Sequence, residues 1–261
     1  MLILSDTNKV NKPSLKLLKD KRCAQLYKIY KDLIDIKKED NKNKDKFRTS
    51  FPNKQTSKLF EYYTFVLIIK ILNSNGYDWT RGWLADEDDC KLKDGDLPSE
   101  TVLKFEKEDC YCELVYDMEI ARDFKNKSQF ISMSLRHNRP DIRLALFSKE
   151  DNKLKGSVII EVKCRKKPYI TNKKGEVMEQ LSDYYNLCYS YYDGEKNLAP
   201  ERGVIKNIIV TCPKQDDSYV KKTFGYNNFT LIQLEAKDNG VIYGYNELEE
   251  EIVEFLNKTH I

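Results

Sequence analysis

Apolar residues recur at roughly helical spacing over 14–38, where Leu15, Leu18, Cys23, Leu26, Ile29, Leu33 and Ile36 stand among lysines. The pattern predicts an amphipathic helix, with Ser14 after Pro13 as its cap. Residues 37–50 carry almost no apolar side chains and predict a charged linker. A second helix is predicted over 56–73, ending before Gly76. Leu59, Phe60, Tyr63, Phe65, Val66, Leu67, Ile69 and Leu72 cover most of its circumference, so it is expected to be largely buried. Glu61 is the single acid inside it.

Strand-like runs follow at 101–106, 111–120, 129–135, 141–147 and 157–163, separated by polar turns. Residues 77–99, with Trp79, Trp83 and the acidic run at 86–89, predict a solvated loop, because the run lacks the alternating ligands and glycine of a calcium loop. A Tyr-rich helix over 176–193, short apolar strands over 207–212 and 229–234, a hairpin-like stretch around Gly240 and Gly244, and a helix over 247–258 complete the order. This alternation predicts an α/β fold, a mixed sheet flanked by helices on both faces. The pattern predicts an N-terminal helical extension with its linker over 1–50 and the main domain over 51–261.

Two acids stand out against the strand pattern. Asp141 precedes Ile142, Leu144, Leu146 and Phe147; Val158, Ile159 and Ile160 lead into Glu161, Val162 and Lys163. Strands this apolar belong inside a sheet, where a charge is expensive unless paired or bound to metal. Strand alternation puts Glu161 and Lys163 on one face. Two hard carboxylates and an ammonium at neighbouring strand ends suit Mg²⁺-assisted phosphodiester hydrolysis. In that scheme Asp141, Glu161 and the Val162 carbonyl hold the ion. Lys163 orients or deprotonates the attacking water, and Glu61 holds a second ion or a metal-bound water.

Composition narrows the partners. The net charge is only +3, so nucleic-acid contact must come from local patches. Lys163, Arg165, Lys166, Lys167, Lys173 and Lys174 form one such run, equally compatible with a phosphate-contact loop and a solvated loop. His137 is a loop histidine or a DNA contact. Seven scattered cysteines without a C-x-x-C predict reduced thiols in a cytoplasmic protein, with Cys110 and Cys112 on one strand face. No apolar run reaches membrane length, and the first residues turn polar too soon for a signal peptide. A second acid-x-Lys, Glu235-Ala-Lys237, has no Pro-Asp at suitable spacing before it.

The motifs Pro140-Asp141 and Glu161-Val162-Lys163, with Glu61 on the preceding helix, resemble those of the PD-(D/E)xK, or restriction-endonuclease-like, nuclease superfamily. Gln180 and Tyr184 resemble the Q-x-x-x-Y signature of its RecB-like branch. Lys58-Leu59-Phe60-Glu61-Tyr62-Tyr63-Thr64-Phe65, Phe130-Ile131-Ser132-Met133-Ser134 and Arg139-Pro140-Asp141-Ile142 resemble the McrC-type nuclease domain, as does Ile29-Tyr30-Lys31-Asp32-Leu33. The resemblance implies a Mg²⁺-dependent DNA endonuclease, with Mn²⁺ able to substitute, acting on double-stranded DNA in restriction of foreign or modified DNA. Asp141, Glu161, Lys163 and Glu61 would be its catalytic residues. Gln180, Tyr184, Arg139, Arg165, Lys166 and Lys167 would support the site or the DNA. It further implies a nucleotide-hydrolysing, McrB-like motor partner, although the chain begins too late to include the usual docking region. Cutting both strands would favour a homodimer. Two alternatives stay open: a catalytically silent nuclease-fold module for DNA binding or assembly, and a stand-alone repair or recombination nuclease.

Overall fold

The apolar runs around Asp141 and Glu161 become an antiparallel pair at the centre of a nine-stranded mixed sheet. The structure is a computed structural model. It describes residues 53–82, 101–134, 136–172, 175–225, 229–237 and 240–258, all within the unit Asn53–Ile261. The predicted helix at 14–38, the linker at 37–50, Trp83, the acidic run at 86–89, Cys23, Cys90, Lys173, Lys174 and His260 lie outside the described residues.

In chain order the elements are α1 (Asn53–Ser74), β1 (Asp78–Arg81), β2 (Thr101–Lys107), β3 (Cys110–Tyr116), β4 (Gln129–Ile131), β5 (Ile142–Ser148) and β6 (Leu154–Val162). There follow α2 (Lys167–Ile170), α3 (Glu176–Tyr185), β7 (Cys188–Ser190), β8 (Ile205–Pro213), β9 (Lys221–Phe224), β10 (Phe229–Ala236), β11 (Ile242–Tyr243) and α4 (Tyr245–Lys258). The sheet runs β1-β2-β3-β5-β6-β8-β10, with β9 and β11 both pairing the far side of β10. Pairing is antiparallel from β1 to β6 and parallel across β6, β8 and β10. The chain leaves β6, passes through α2 and α3, and returns as β8 beside it, the crossover that a parallel neighbour requires. β4 and β7 form a separate two-stranded sheet.

Every residue of β5 is buried, because helices cover both faces of the sheet. Ile142, Leu144, Leu146, Val158 and Ile160 join one core cluster with Phe65, Ile68, Ile71 and Leu72 of α1 and Leu248, Ile252, Phe255 and Leu256 of α4. Ala145, Phe147 and Ile159 join the other, with Val177, Met178, Leu181 and Tyr184 of α3. The α/β class and the helices on both faces therefore agree with the sequence pattern.

Several details differ from it. α1 is buried along one side only: Leu59 and Val66 are 50% and 56% exposed. The helix predicted over 176–193 stops at Tyr185, and the apolar stretch after it pairs with β4 as β7. The strand predicted over 111–120 ends at Tyr116, followed by Asp117 at φ 50°. β1 is a strand where the sequence pattern predicts a solvated loop, and β9 falls in a segment too polar to show a strand pattern, whereas β11 pairs antiparallel with β10 where the hairpin-like stretch around Gly240 and Gly244 is predicted. None of the five described cysteines forms a disulfide, and Cys110 and Cys112 are buried together in the α1–α4 cluster. No described helix is long and apolar enough to cross a membrane.

Candidate active site

The β5–β6 register decides where the two acids meet. Ile142 pairs with Ile160, so Asp141, one residue ahead of β5, falls opposite Glu161 near the end of β6. Opposed residues of an antiparallel pair project to the same face. The contacts agree: the Val162 N–H donates to Asp141 Oδ2 at 2.7 Å, and the Asp141 N–H lies 3.4 Å from Glu161 Oε2. Lys163, two residues beyond Glu161, returns to the same side and donates to Glu161 Oε1 at 2.5 Å. β8 fixes its backbone, the Lys163 N–H bonding to the Thr211 carbonyl at 2.8 Å.

α3 supplies the roof. Gln180 Nε2 donates to Glu161 Oε1 and contacts Tyr184 Oη, both at 2.8 Å, and the Tyr184 hydroxyl donates to the Arg139 carbonyl at 3.0 Å. One helical turn separates Gln180 from Tyr184, so both reach down from the same face. They brace Glu161 and the segment entering Asp141 rather than only filling the core. Tyr184→Phe is expected to lower stability by about 1 kcal/mol, because the Arg139 carbonyl loses a part-buried donor. A urea midpoint equal to the wild type would show that this brace is not made.

Glu61 arrives from the opposite layer, on α1. Its Oε2 accepts from Lys58 Nζ at 3.0 Å and from the Tyr116 hydroxyl at 2.9 Å. Lys58 also donates to Asp117 Oδ2 at 3.3 Å and lies over the Tyr116 ring. Glu61 is therefore salt-bridged, yet close enough for its charge to act on Asp141.

Electrostatics set the state of the cluster. Burial pushes the Asp141 carboxyl well above the usual carboxylate range; Glu161 and Glu61 push it further, against Lys163 and the Val162 N–H. Burial works against the charge on Lys163, but Glu161 and Asp141 outweigh it and hold its pKa above the ordinary lysine value. Lys163 is thus a charged donor in this arrangement. Lys58 is held charged in the same way, burial being outweighed by Glu61 and Asp117.

Among the described residues, no group of three or more His, Cys, Asp or Glu side chains is placed to hold a metal ion. The Asp141–Glu161 pair suits a different kind of site. Mg²⁺ binds through one or two carboxylates and keeps several waters, and it would offset both the burial and the neighbouring acids that raise Asp141.

The remaining candidates scatter. Arg165 is exposed, stacked on Tyr169, and held through its carbonyl by Gln215. Lys166 is exposed and contributes its carbonyl to α2. Lys167 starts α2. Glu235 of the second acid-x-Lys motif is exposed, 3.8 Å from Lys214. His137 does not enter the acid cluster; its Nδ1 lies 2.8 Å from Asp183 Oδ2. Sequence reasoning passed over Lys58, Tyr116, Asp117 and Asp183. Lys58, one turn before Glu61, carried a legible signal as an i,i+3 charge pair; the others meet the site only through tertiary contacts. The chain matches no family model, no curated protein and no solved structure.

Proposed function

We propose that this protein is a Mg²⁺-dependent endonuclease that hydrolyses phosphodiester bonds of double-stranded DNA. The observation that carries the proposal is the convergence of Asp141, Glu161 and Lys163 on one face at the β5–β6 end, with Gln180 bonded to Glu161. Asp141 and Glu161 would hold the ion; Mn²⁺ fits the same oxygen donors. When bound, the ion supplies Lewis acidity at the phosphate and lowers the pKa of a coordinated water. Lys163 donates to the phosphoryl oxygens as charge builds on them. Gln180 keeps Glu161 oriented, and Tyr184 keeps the Asp141 segment against α3. Glu61 adds negative potential from the other layer, and Lys58 tempers it. The McrC-like motifs extend the proposal to restriction of foreign or modified DNA alongside a nucleotide-hydrolysing motor.

Mn²⁺ titration followed by electron paramagnetic resonance tests the ion site without requiring a partner. The wild type is expected to bind Mn²⁺ and Asp141→Asn to lose that binding. Equal binding by both would place the ion elsewhere and end the proposal as stated. Glu61→Gln is expected to weaken Mn²⁺ binding by roughly tenfold, since a nearby anion is worth about one pKa-sized increment. Its unfolding free energy from urea titration should change by less than about 1 kcal/mol, because the Lys58 partner is partly solvent-exposed. The reverse outcome, lost stability with unchanged ion affinity, would make Glu61 a purely structural partner of Lys58.

A further inference from the structure

Residues 136–141, which lead into Asp141, have no regular secondary structure, yet they are tied down almost residue by residue. The N–H groups of Arg136 and His137 donate to Ser134 Oγ, which itself donates to Asp183 Oδ2 at 2.7 Å. The same Asp183 oxygen lies 2.8 Å from His137 Nδ1. Asn138 donates to Glu119 and to the Ile120 carbonyl, and its own carbonyl accepts from the Ile120 N–H. Tyr184 holds the Arg139 carbonyl, and the Asp117 N–H holds the Asp141 carbonyl at 2.8 Å.

Out of this fixed segment Arg139 projects, with its side chain 47% exposed. Its Nε donates to Asp117 Oδ1 at 2.8 Å and to the Asp117 carbonyl at 3.0 Å. Holding a guanidinium by Nε fixes its plane and leaves the two terminal amino groups as an outward fork. Asp117 is itself in the left-handed region, an unfavourable conformation for a residue with a side chain, retained where the surroundings impose it. That conformation lets it bond Arg139 by side chain and carbonyl while its N–H holds Asp141. The oriented fork is therefore linked through one residue to the acid that would hold the ion.

We infer that Arg139 is a substrate-positioning residue that clamps a DNA phosphate in bidentate fashion, and that Asp117 is the positioning residue that aims it. The inference rests on the proposed nuclease function. Carboxylate-oriented arginine recognises phosphate by geometry as well as charge, so lysine cannot replace it fully. The clamp would set the register of the strand relative to Asp141.

The test is binding of a fluorescein-labelled DNA duplex by the full chain, by anisotropy across a salt series without divalent ions. Arg139→Ala is expected to weaken binding roughly tenfold, the loss of one charge-assisted contact. It should also flatten the slope of log K against log salt by about 0.9, one phosphate's worth of counterion release. Arg139→Lys should keep the wild-type slope but not the affinity, because the charge remains and the fork does not. Asp117→Asn should behave like Arg139→Lys. A wild type that binds no duplex would overturn the nuclease proposal and the clamp together. A wild type that binds, with an Arg139→Ala slope unchanged, would overturn the clamp alone and leave Arg139 as a surface ion pair. Equal affinity of Arg139→Lys and wild type would likewise overturn the bidentate geometry.

Discussion

Replacing Asp141 by Asn, or Lys163 by Ala, is expected to lower Mg²⁺-dependent cleavage of duplex DNA by on the order of a hundredfold or more. That is the scale of losing one transition-state stabiliser in a water-poor site. The two changes act differently. Asparagine keeps the acceptor for the Val162 N–H but removes the charge that would hold the ion. Because burial and Glu161 already push the Asp141 carboxyl toward its neutral form, Asp141→Asn should leave the ion-free protein at least as stable as the wild type. Lysine removal instead strands Glu161, 1% exposed, with Gln180 as its remaining side-chain donor, so Lys163→Ala should also lose stability. DNA binding should survive both, since phosphate contacts are spread over many cations. Cleavage is best compared in the complete assembly with any motor partner. Equal cutting by wild type and Asp141→Asn would mean that the catalytic centre lies in another subunit. This chain would then serve as a DNA-binding or assembly module.

The largest effect on folding is expected at Gly244, between β11 and α4. Its φ is +80°, and an added Cβ would overlap the Gln233 carbonyl oxygen while lying 3.0 Å from its carbonyl carbon. Gln233 has no room to yield. It is fully buried in β10, its N–H bonds to the Val220 carbonyl, and its side chain holds the Gln215 N–H and the Tyr219 carbonyl. Gly244 also accepts the first α4 hydrogen bond, from Leu248. An alanine must therefore push α4 off the sheet, along with Leu248, Ile252, Phe255 and Leu256. Gly244→Ala should cost on the order of 3 kcal/mol or more, a large share of a domain's stability of about 5–15 kcal/mol. Gly240 is the control: its φ is similar, +79°, but nothing lies near its Cβ position. Gly240→Ala should cost only about 1 kcal/mol of backbone strain. Urea midpoints of the two variants side by side check the contrast, and equal losses would remove the steric explanation.

Local pattern determined a great deal of this protein. The apolar runs before and after the acids identified β5 and β6, because a strand covered on both faces must be apolar throughout. Strand periodicity put Glu161 and Lys163 on one side, and helical periodicity put Gln180 and Tyr184 on one face. The short connection between β5 and β6 made their antiparallel pairing, and so the Asp141–Glu161 encounter, readable in outline. What the sequence could not decide was wherever short-range pattern is ambiguous or silent. The apolar stretch after Tyr185 reads equally as helix or strand, and pairing with β4 made it β7. Glu61 read as a buried acid in a buried helix; the packing left one side of α1 open and gave Glu61 to Lys58 and Tyr116. Asp117, Asp183 and the Gly244 approach to Gln233 carry no periodic signal at all. Their roles rest on contacts between segments distant in the chain, and such contacts exist only once the sheet has brought those segments together.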